Sequence, residues 1–467
     1  MGVGMLIIPL NTGGSVPLYE QIYEFIKQEI RTGKLAVAHK LPSTRSLSLN
    51  LQISRSTVEL AYSQLISEGY IEARPKSGYY VLSIGDLVEV PKEMQKVNKA
   101  VIKKKDIALF DFSPFSVDIS EFPFATWRRL SNQCMNDMNQ DLFLLGESQG
   151  DSSLREAIAR YLHSSRGVIL EAEQIVIGAG TDYLIQLLAQ ILSNHHLIAM
   201  ENPSYKRAYQ IYQGLGYEVM PISVKQDGID VAELSQSEAN LCYVTPSHQY
   251  PLGVVMPIKK RMDLLHWAYQ TQDRYIIEDD HDSEFRYKGK PIPSLQGIDQ
   301  NNRVIYLGTF SRAIAPAIRM GYMVLPMELA KHYQSKLSYY ASTVSRIDQA
   351  IMCRFINGGY FERHLNKMRT KYKSKHDSLI KALKIFGSSI TVSGEHAGLH
   401  LVVEFKINLT EEELIQKAKE SGILLYGLNR HYIKQKSSKY PTILLGFASV
   451  PEDKIEQGIQ RLYECLF

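Results

Sequence analysis

The chain of 467 residues is about three times the ~150 residues of a typical domain, so two or three folding units are expected. Hydrophobic residues make up 45% and charged residues 22%, which excludes a disordered or collagenous chain, and no apolar run reaches the ~18 residues of a membrane helix. The net charge of +4 is uneven: residues 1–83 carry 8 Lys and Arg against 6 Asp and Glu, residues 84–110 carry 6 against 4, and the remainder carries 39 of each. That front-loaded excess points to an anionic partner for the N-terminal segment.

The opening MGVGMLIIPL is apolar but short, with no basic stretch and no small-residue cleavage site, so a secretory signal is not expected. Leu6 stands where a myristoylation signal needs Ser or Thr. Cys134, Cys242, Cys353 and Cys465 are far apart, without a Cys-x-x-Cys pair or clustered histidines, which argues against a metal and against a disulfide scaffold. A reduced, cytoplasmic protein with no membrane partner is the expectation.

Leu18, Ile22, Phe25, Ile26 and Ile30 recur at helical spacing, which predicts an amphipathic helix from near Pro17 to near Gly33. Ser43 is placed to cap a second helix with Leu47 and Leu51 inward; after a turn at Gln52-Ile53, Ser54 is placed to cap a third. That third helix is expected to bury Val58, Ala61, Tyr62, Leu65 and Ile66 and to stop at Gly69. Tyr70–Arg74, the turn Pro75-Lys76-Ser77-Gly78 and Tyr79–Leu82 then read as a β-hairpin, so residues 15–83 form a winged helix-turn-helix. In such a module the first turn of the last helix enters the major groove. Arg55, Ser56 and Thr57 are therefore the expected groove-facing residues, with Arg45 and the wing residues Lys76 and Gly78 at the DNA backbone or the minor-groove edge. The segment LPSTRSLSLNLQISRSTVELAYSQLISEGYIEARPKSGYYV resembles the GntR-type winged helix. The resemblance implies a sequence-specific DNA-binding domain of a bacterial regulator, with double-stranded promoter DNA as partner.

Residues 84–110, with the run Lys103-Lys104-Lys105, show little apolar periodicity and read as a linker. From residue 111 to 467, short apolar runs alternate with helical patterns, the signature of an α/β domain with a mostly parallel sheet. Strands are expected at Gln174–Ile177, Leu197–Met200, Leu241–Thr245, Tyr275–Glu278, Val304–Leu307 and Met320–Leu325, with polar groups after most of them, where open α/β sheets bind ligands. Gly180 and Thr181 open a helix and offer free amides to an anion, while Ser311 and Arg319 add a hydroxyl and a guanidinium. Asp279 is an acid suited to a protonated ring nitrogen, and Tyr205 supplies an aromatic face. Together they describe a pocket for a phosphorylated pyridine.

The motif series IGAGTDYLIQLL, ENPSY, TPSHQYPLG, IIEDDHDSEF, LGTFSRAIAPAIRMGYMVLP and AGLHLVVEF resembles fold-type I aminotransferases. Behind a GntR winged helix it is similar to the MocR/GabR regulators. The resemblance implies a homodimer whose aminotransferase-like domain, with a smaller C-terminal α/β subdomain, binds pyridoxal 5'-phosphate and a small amino-acid-like effector. It also implies that Arg207 and Arg430 read the effector carboxylate. Two positions depart from the pattern. Arg312 stands where the family carries its cofactor lysine, and a guanidinium cannot form a Schiff base. His281 stands where the GabR-like pattern has a tyrosine, and can still hydrogen-bond a phenolate oxygen. Three readings of Arg312 follow: non-covalent pyridoxal 5'-phosphate, a different anionic metabolite, or an introduced or accidental change. A regulator without enzymatic turnover accounts for the winged helix and for Arg312. The alternatives are a cofactor-dependent aminotransferase and a regulator whose large domain only dimerises.

Overall fold

The computed structural model describes residues 6–83, 109–192, 197–287, 292–434 and 439–467. The linker assigned to 84–110, including the lysine run, lies outside the described residues except for its last two. The chain divides into two compact units, residues 1–104 and 105–467.

In the first unit α1 (Leu18–Arg31) starts behind Pro17 and buries Ile22, Tyr23, Ile26 and Ile30. The Ser43 side chain accepts from the Ser46 amide at 3.1 Å, which satisfies one orphan donor at the start of α2 (Thr44–Leu51). Gln52 then turns the chain with φ +54°. Ser54 caps α3 (Arg55–Ser67) through the Thr57 amide at 3.2 Å. Strands β1 (Lys40–Leu41), β2 (Ile71–Arg74) and β3 (Gly78–Val81) form an antiparallel sheet in the order β1-β3-β2, so the hairpin gains a short third strand that two residues could not announce in the sequence. Lys76 at φ +61° and Gly78 at φ +114° shape the wing tip. One assignment is corrected: Ile66 is exposed, because its position on α3 rotates it away from the Val58–Ala61–Leu65 face that packs on α1 and α2.

In the second unit the main sheet comprises β5 (Ile175–Gly178), β6 (Leu197–Asn202), β7 (Glu218–Lys225), β8 (Gly228–Ile229), β9 (Leu241–Val244), β10 (Tyr275–Asp280), β11 (Val304–Thr309) and β12 (Gly321–Val324). It follows β4 (Phe110–Asp111) in the chain. Spatial order is β5-β12-β11-β10-β9-β6-β7-β8. The run from β11 to β7 is parallel, whereas β12 lies antiparallel to both neighbours and β8 antiparallel to β7, which makes the sheet mixed. Adjacent residues serve opposite faces, as the pleat requires: Ile276 joins the core with Trp267 and Leu264, Ile277 the core with Leu188 and Tyr212. Buried on both faces, these strands read as continuous apolar runs rather than alternating ones. A second sheet, β13 (Ile390–Ser393), β14 (His400–Phe405), β16 (Tyr426–Gly427) and β17 (Thr442–Gly446), forms the C-terminal subdomain, and β15 (Ile423–Leu424) pairs in parallel with β4. Among the described residues no helix is long and apolar enough to cross a membrane.

Candidate functional site

Two surfaces carry the chemistry, one in each unit. At the start of α3, Arg55 is 63% exposed and its guanidinium bonds Glu59 one turn on at 2.8 Å. An exposed i,i+4 pair of this kind contributes only ~0.3–0.5 kcal/mol, little resistance to an exchange of Glu59 for an anionic ligand. The hydroxyls of Ser56 and Thr57 lie 2.9 and 2.7 Å from the Ser54 hydroxyl, so the cap and two of the expected groove residues form one hydroxyl cluster. Arg45, second residue of α2, is exposed, as is Lys76. An added Cβ on Gly78 would lie 3.3 Å from the Lys40 side chain.

In the second unit, strand ends and the loops after them surround a cavity of about 650 Å³. Thr181, Tyr205, Arg207, Asp279, His281, Ser311, Arg312, Arg319 and Arg430 all line it. Gly180 lies directly behind, at φ +86°, and a Cβ there would meet the Arg319 guanidinium carbon at 3.1 Å. Only glycine lets that guanidinium approach the turn. Arg319 itself takes φ +47° and sits 3.4 Å from Asp182, the residue after Thr181. Arg207 reaches the same Asp182 oxygen at 3.2 Å. One carboxylate thus holds two guanidiniums at the helix start. Arg207 and Arg319 are 60% and 52% exposed, so an arriving phosphate dianion or carboxylate would compete with Asp182 for both.

The inner wall is buried. Asp279, at the end of β10, accepts from the Tyr243 hydroxyl, and burial raises its carboxyl above the usual range while nearby His281 draws it down. Burial lowers the His281 imidazole, but Asp282 and Asp279 outweigh it and the net shift is upward. His400 is pulled down to about 3 and His431 to about 4, chiefly by burial, so both are neutral. His281, His400 and His431 pack around the Tyr250 ring with centroids 5.2–5.5 Å away, and His248 stacks beside His281 at 6.1 Å. The sequence expectation of no clustered histidines is therefore corrected: residues 248, 281, 400 and 431 come from four separate segments and converge only in the fold.

Arg312 is 13% exposed. One of its terminal nitrogens donates to the Pro114 carbonyl at 2.9 Å, the other lies 3.9 Å from Asp282, and Nε has no partner. The Ser311 and Tyr250 hydroxyls are likewise buried without a partner. Three orphan polar groups on one wall are costly unless a ligand meets them. Lys206 also lines the cavity, but its amine donates to the Tyr432 carbonyl at 3.1 Å and lies over the Tyr209 ring. Arg430 stands against the Phe115 and Tyr426 rings at 5.3 and 5.0 Å, a cation–π cradle, and its Nε donates to His431 Nε2 at 3.3 Å. Asp182, Tyr243 and Tyr250 were not singled out in the sequence. Asp182 follows the Gly-Ala-Gly-Thr turn directly and Tyr250 lies inside the TPSHQYPLG motif, so both had a signal; Tyr243 is one apolar-looking position in a strand and had none.

A pyridoxal phosphate fits part of this set. Gly180, Thr181, Ser311 and Arg319 suit its phosphate, and Asp279 suits its ring nitrogen. No free amine is presented for its aldehyde by Arg312.

Residues 18–81 match the family "Bacterial regulatory proteins, gntR family", and residues 118–462 match "Aminotransferase class I and II". The chain is 39% identical to the uncharacterized HTH-type transcriptional regulator YdeL of Bacillus subtilis, covering 97% of each chain. It is 32% identical to the probable rhizopine catabolism regulatory protein MocR of Rhizobium meliloti, covering 98% of this chain and 95% of that one. The structure of Pyrococcus horikoshii kynurenine aminotransferase superposes with a TM-score of 0.68 at 24% identity, over 78% of this chain and 91% of that one, a likeness of fold.

Proposed function

Because this chain belongs to the MocR-type family of HTH-type transcriptional regulators, in which a GntR domain precedes an aminotransferase class I and II domain, we propose how its two surfaces divide the work. α3 binds the major groove of double-stranded promoter DNA through Arg55, with Ser56 and Thr57 beside it. Arg45 and the wing residues Lys76 and Gly78 meet the phosphates. The protein acts in the cytoplasm as a homodimer, which matches two recognition helices to two half-sites. The cavity takes pyridoxal 5'-phosphate without a bond to the protein, together with a small amino-acid-like effector whose carboxylate pairs with Arg430 and Arg207.

The observation that carries this reading is the placement of Arg312: its guanidinium is fixed between Pro114 and Asp282, where it can donate a hydrogen bond but cannot give up a proton to become a nucleophile. When bound, the cofactor supplies a phosphate anchor and an electron-withdrawing ring. Asp279 holds a proton against the ring nitrogen, Ser311 and Arg319 hold the phosphate, and Tyr205, T-shaped to Tyr250 at 6.0 Å, closes the side of the cavity. With a guanidinium at 312 and the Lys206 amine engaged by the Tyr432 carbonyl, no amine among the described residues is placed to relay protons and turnover is absent; such a group is typically worth ~10²–10⁴ in rate.

The test is titration of the purified protein with pyridoxal 5'-phosphate, followed by calorimetry and by mass spectrometry after borohydride reduction. Saturable binding with no added mass is expected, and a mass gain in Arg312→Lys. A mass gain in the unaltered protein would overturn the non-covalent reading and point to Lys206. Absence of binding would move the assignment to another anionic metabolite held by Arg207, Arg312, Arg319 and Arg430.

A further inference from the structure

We propose that His248, His281 and Asp282 form a binding site for a divalent transition-metal ion of the zinc and cobalt kind. His248 Nδ1 lies 2.9 Å and His281 Nε2 3.2 Å from the same oxygen, Asp282 Oδ1, and one ligand atom from each residue falls within 4.8 Å of the others. Bonds of ~2.0–2.1 Å in a tetrahedral site put neighbouring ligand atoms about 3.3 Å apart, which the two nitrogen-to-oxygen distances approach, while the two nitrogens lie within 4.8 Å of each other. His281 Nε2 is buried, and its near polar neighbour is this carboxylate, at 3.2 Å and without good hydrogen-bond alignment. The nitrogen is aimed beside the oxygen, as two ligands of one ion are.

Two imidazoles and a carboxylate suit zinc, cobalt, nickel or iron; magnesium and calcium prefer all-oxygen sets. Asp280 is paired with Arg166 at 2.8 Å and so is engaged outside the proposed ligand set. Arg312 approaches the other oxygen of Asp282, Oδ2, and leaves Oδ1 to the histidines.

The ligands are held before any ion arrives. Gly398, at φ +78°, packs so closely that a Cβ there would lie 2.0 Å from the His248 ring and 2.9 Å from Asp282 Oδ2. A backbone wall therefore fixes both side chains, and preorganised ligands bind more tightly. His281 lines the cavity and is 17% exposed, so an ion has a path in, and its remaining coordination positions face the space where a small ligand binds.

The experiment uses the full chain without an affinity tag, stripped with a chelator and dialysed. Titration with cobalt(II), followed by visible absorption, and with zinc(II), followed by calorimetry, is expected to give one ion per chain with a tetrahedral cobalt band. His281→Phe and Asp282→Asn are each expected to weaken binding by ~100-fold and to abolish the band, while His332→Gln, at an exposed position, changes neither. Circular dichroism checks folding, and His281→Phe, the least buried of the three, carries the result if Asp282→Asn unfolds. No cobalt band in the unaltered protein, or a band and affinity unchanged in His281→Phe, would overturn the proposal.

Discussion

Residues 6–83 and residues 109–467 use charge in opposite ways. In the first, the buried side chains are apolar apart from Thr44 and Ser48, and the cations assigned to DNA stand in water at helix starts and at the wing. In the second, Arg166, Glu201, Glu278, Asp279, Asp280 and Asp282 are all buried, each leaning on partners from remote segments. A surface cation of the first kind loses little when it exchanges partners. A buried group of the second kind has its ionisation set by the fold, so ligand, proton and stability become linked there.

The largest expected effect breaks the first region while sparing the second. Ile26, fully buried against α3, becomes a cavity in Ile26→Ala at ~2–5 kcal/mol. DNA binding should be lost at 37 °C while calorimetry still shows the melting transition of residues 105–467.

The next sharpens the contrast through pH. Burial raises Glu201 from 4.5 to about 7, although Thr245 and Gln249 donate to it. A raised carboxyl stabilises the fold fully below its unfolded pKa, and that contribution disappears as pH rises through about 7, in all ~3 kcal/mol. The large unit should therefore melt lower at pH 8 than at pH 5, and Glu201→Gln should flatten that slope; an equal slope in the variant would remove Glu201 as its origin.

Arg55→Ala should cost ~1–3 kcal/mol of operator affinity, measured by fluorescence anisotropy at fixed salt, with nonspecific binding little changed. The smallest effect belongs to the effector. Arg430→Ala, which removes one exposed guanidinium, should weaken carboxylate binding by about tenfold, or ~1.4 kcal/mol, and leave basal DNA affinity intact. Equal loss of both would assign Arg430 a structural part.

Much of this was legible in the sequence where local rules act. Ser43 and Ser54 are caps because a hydroxyl just before an apolar-periodic run has orphan amides to meet, and Gly180 must be glycine because the turn takes φ +86°. Ile66 was misplaced for the same reason that the rest succeeded: one helix position off the apolar stripe is a rotation of 100° that periodicity resolves poorly.

By itself, the sequence determined the helices, the winged module, the run of strands and the presence of a guanidinium at 312, since each follows from neighbours within a few residues. Only the tertiary structure decided that Asp182 holds Arg207 and Arg319 together, that Arg312 is pinned by Pro114, and that His248 and His281 meet on one oxygen of Asp282. Those contacts join residues up to 198 positions apart. Their electrostatics depend on distance and burial, and neither is fixed until the sheet has ordered its strands.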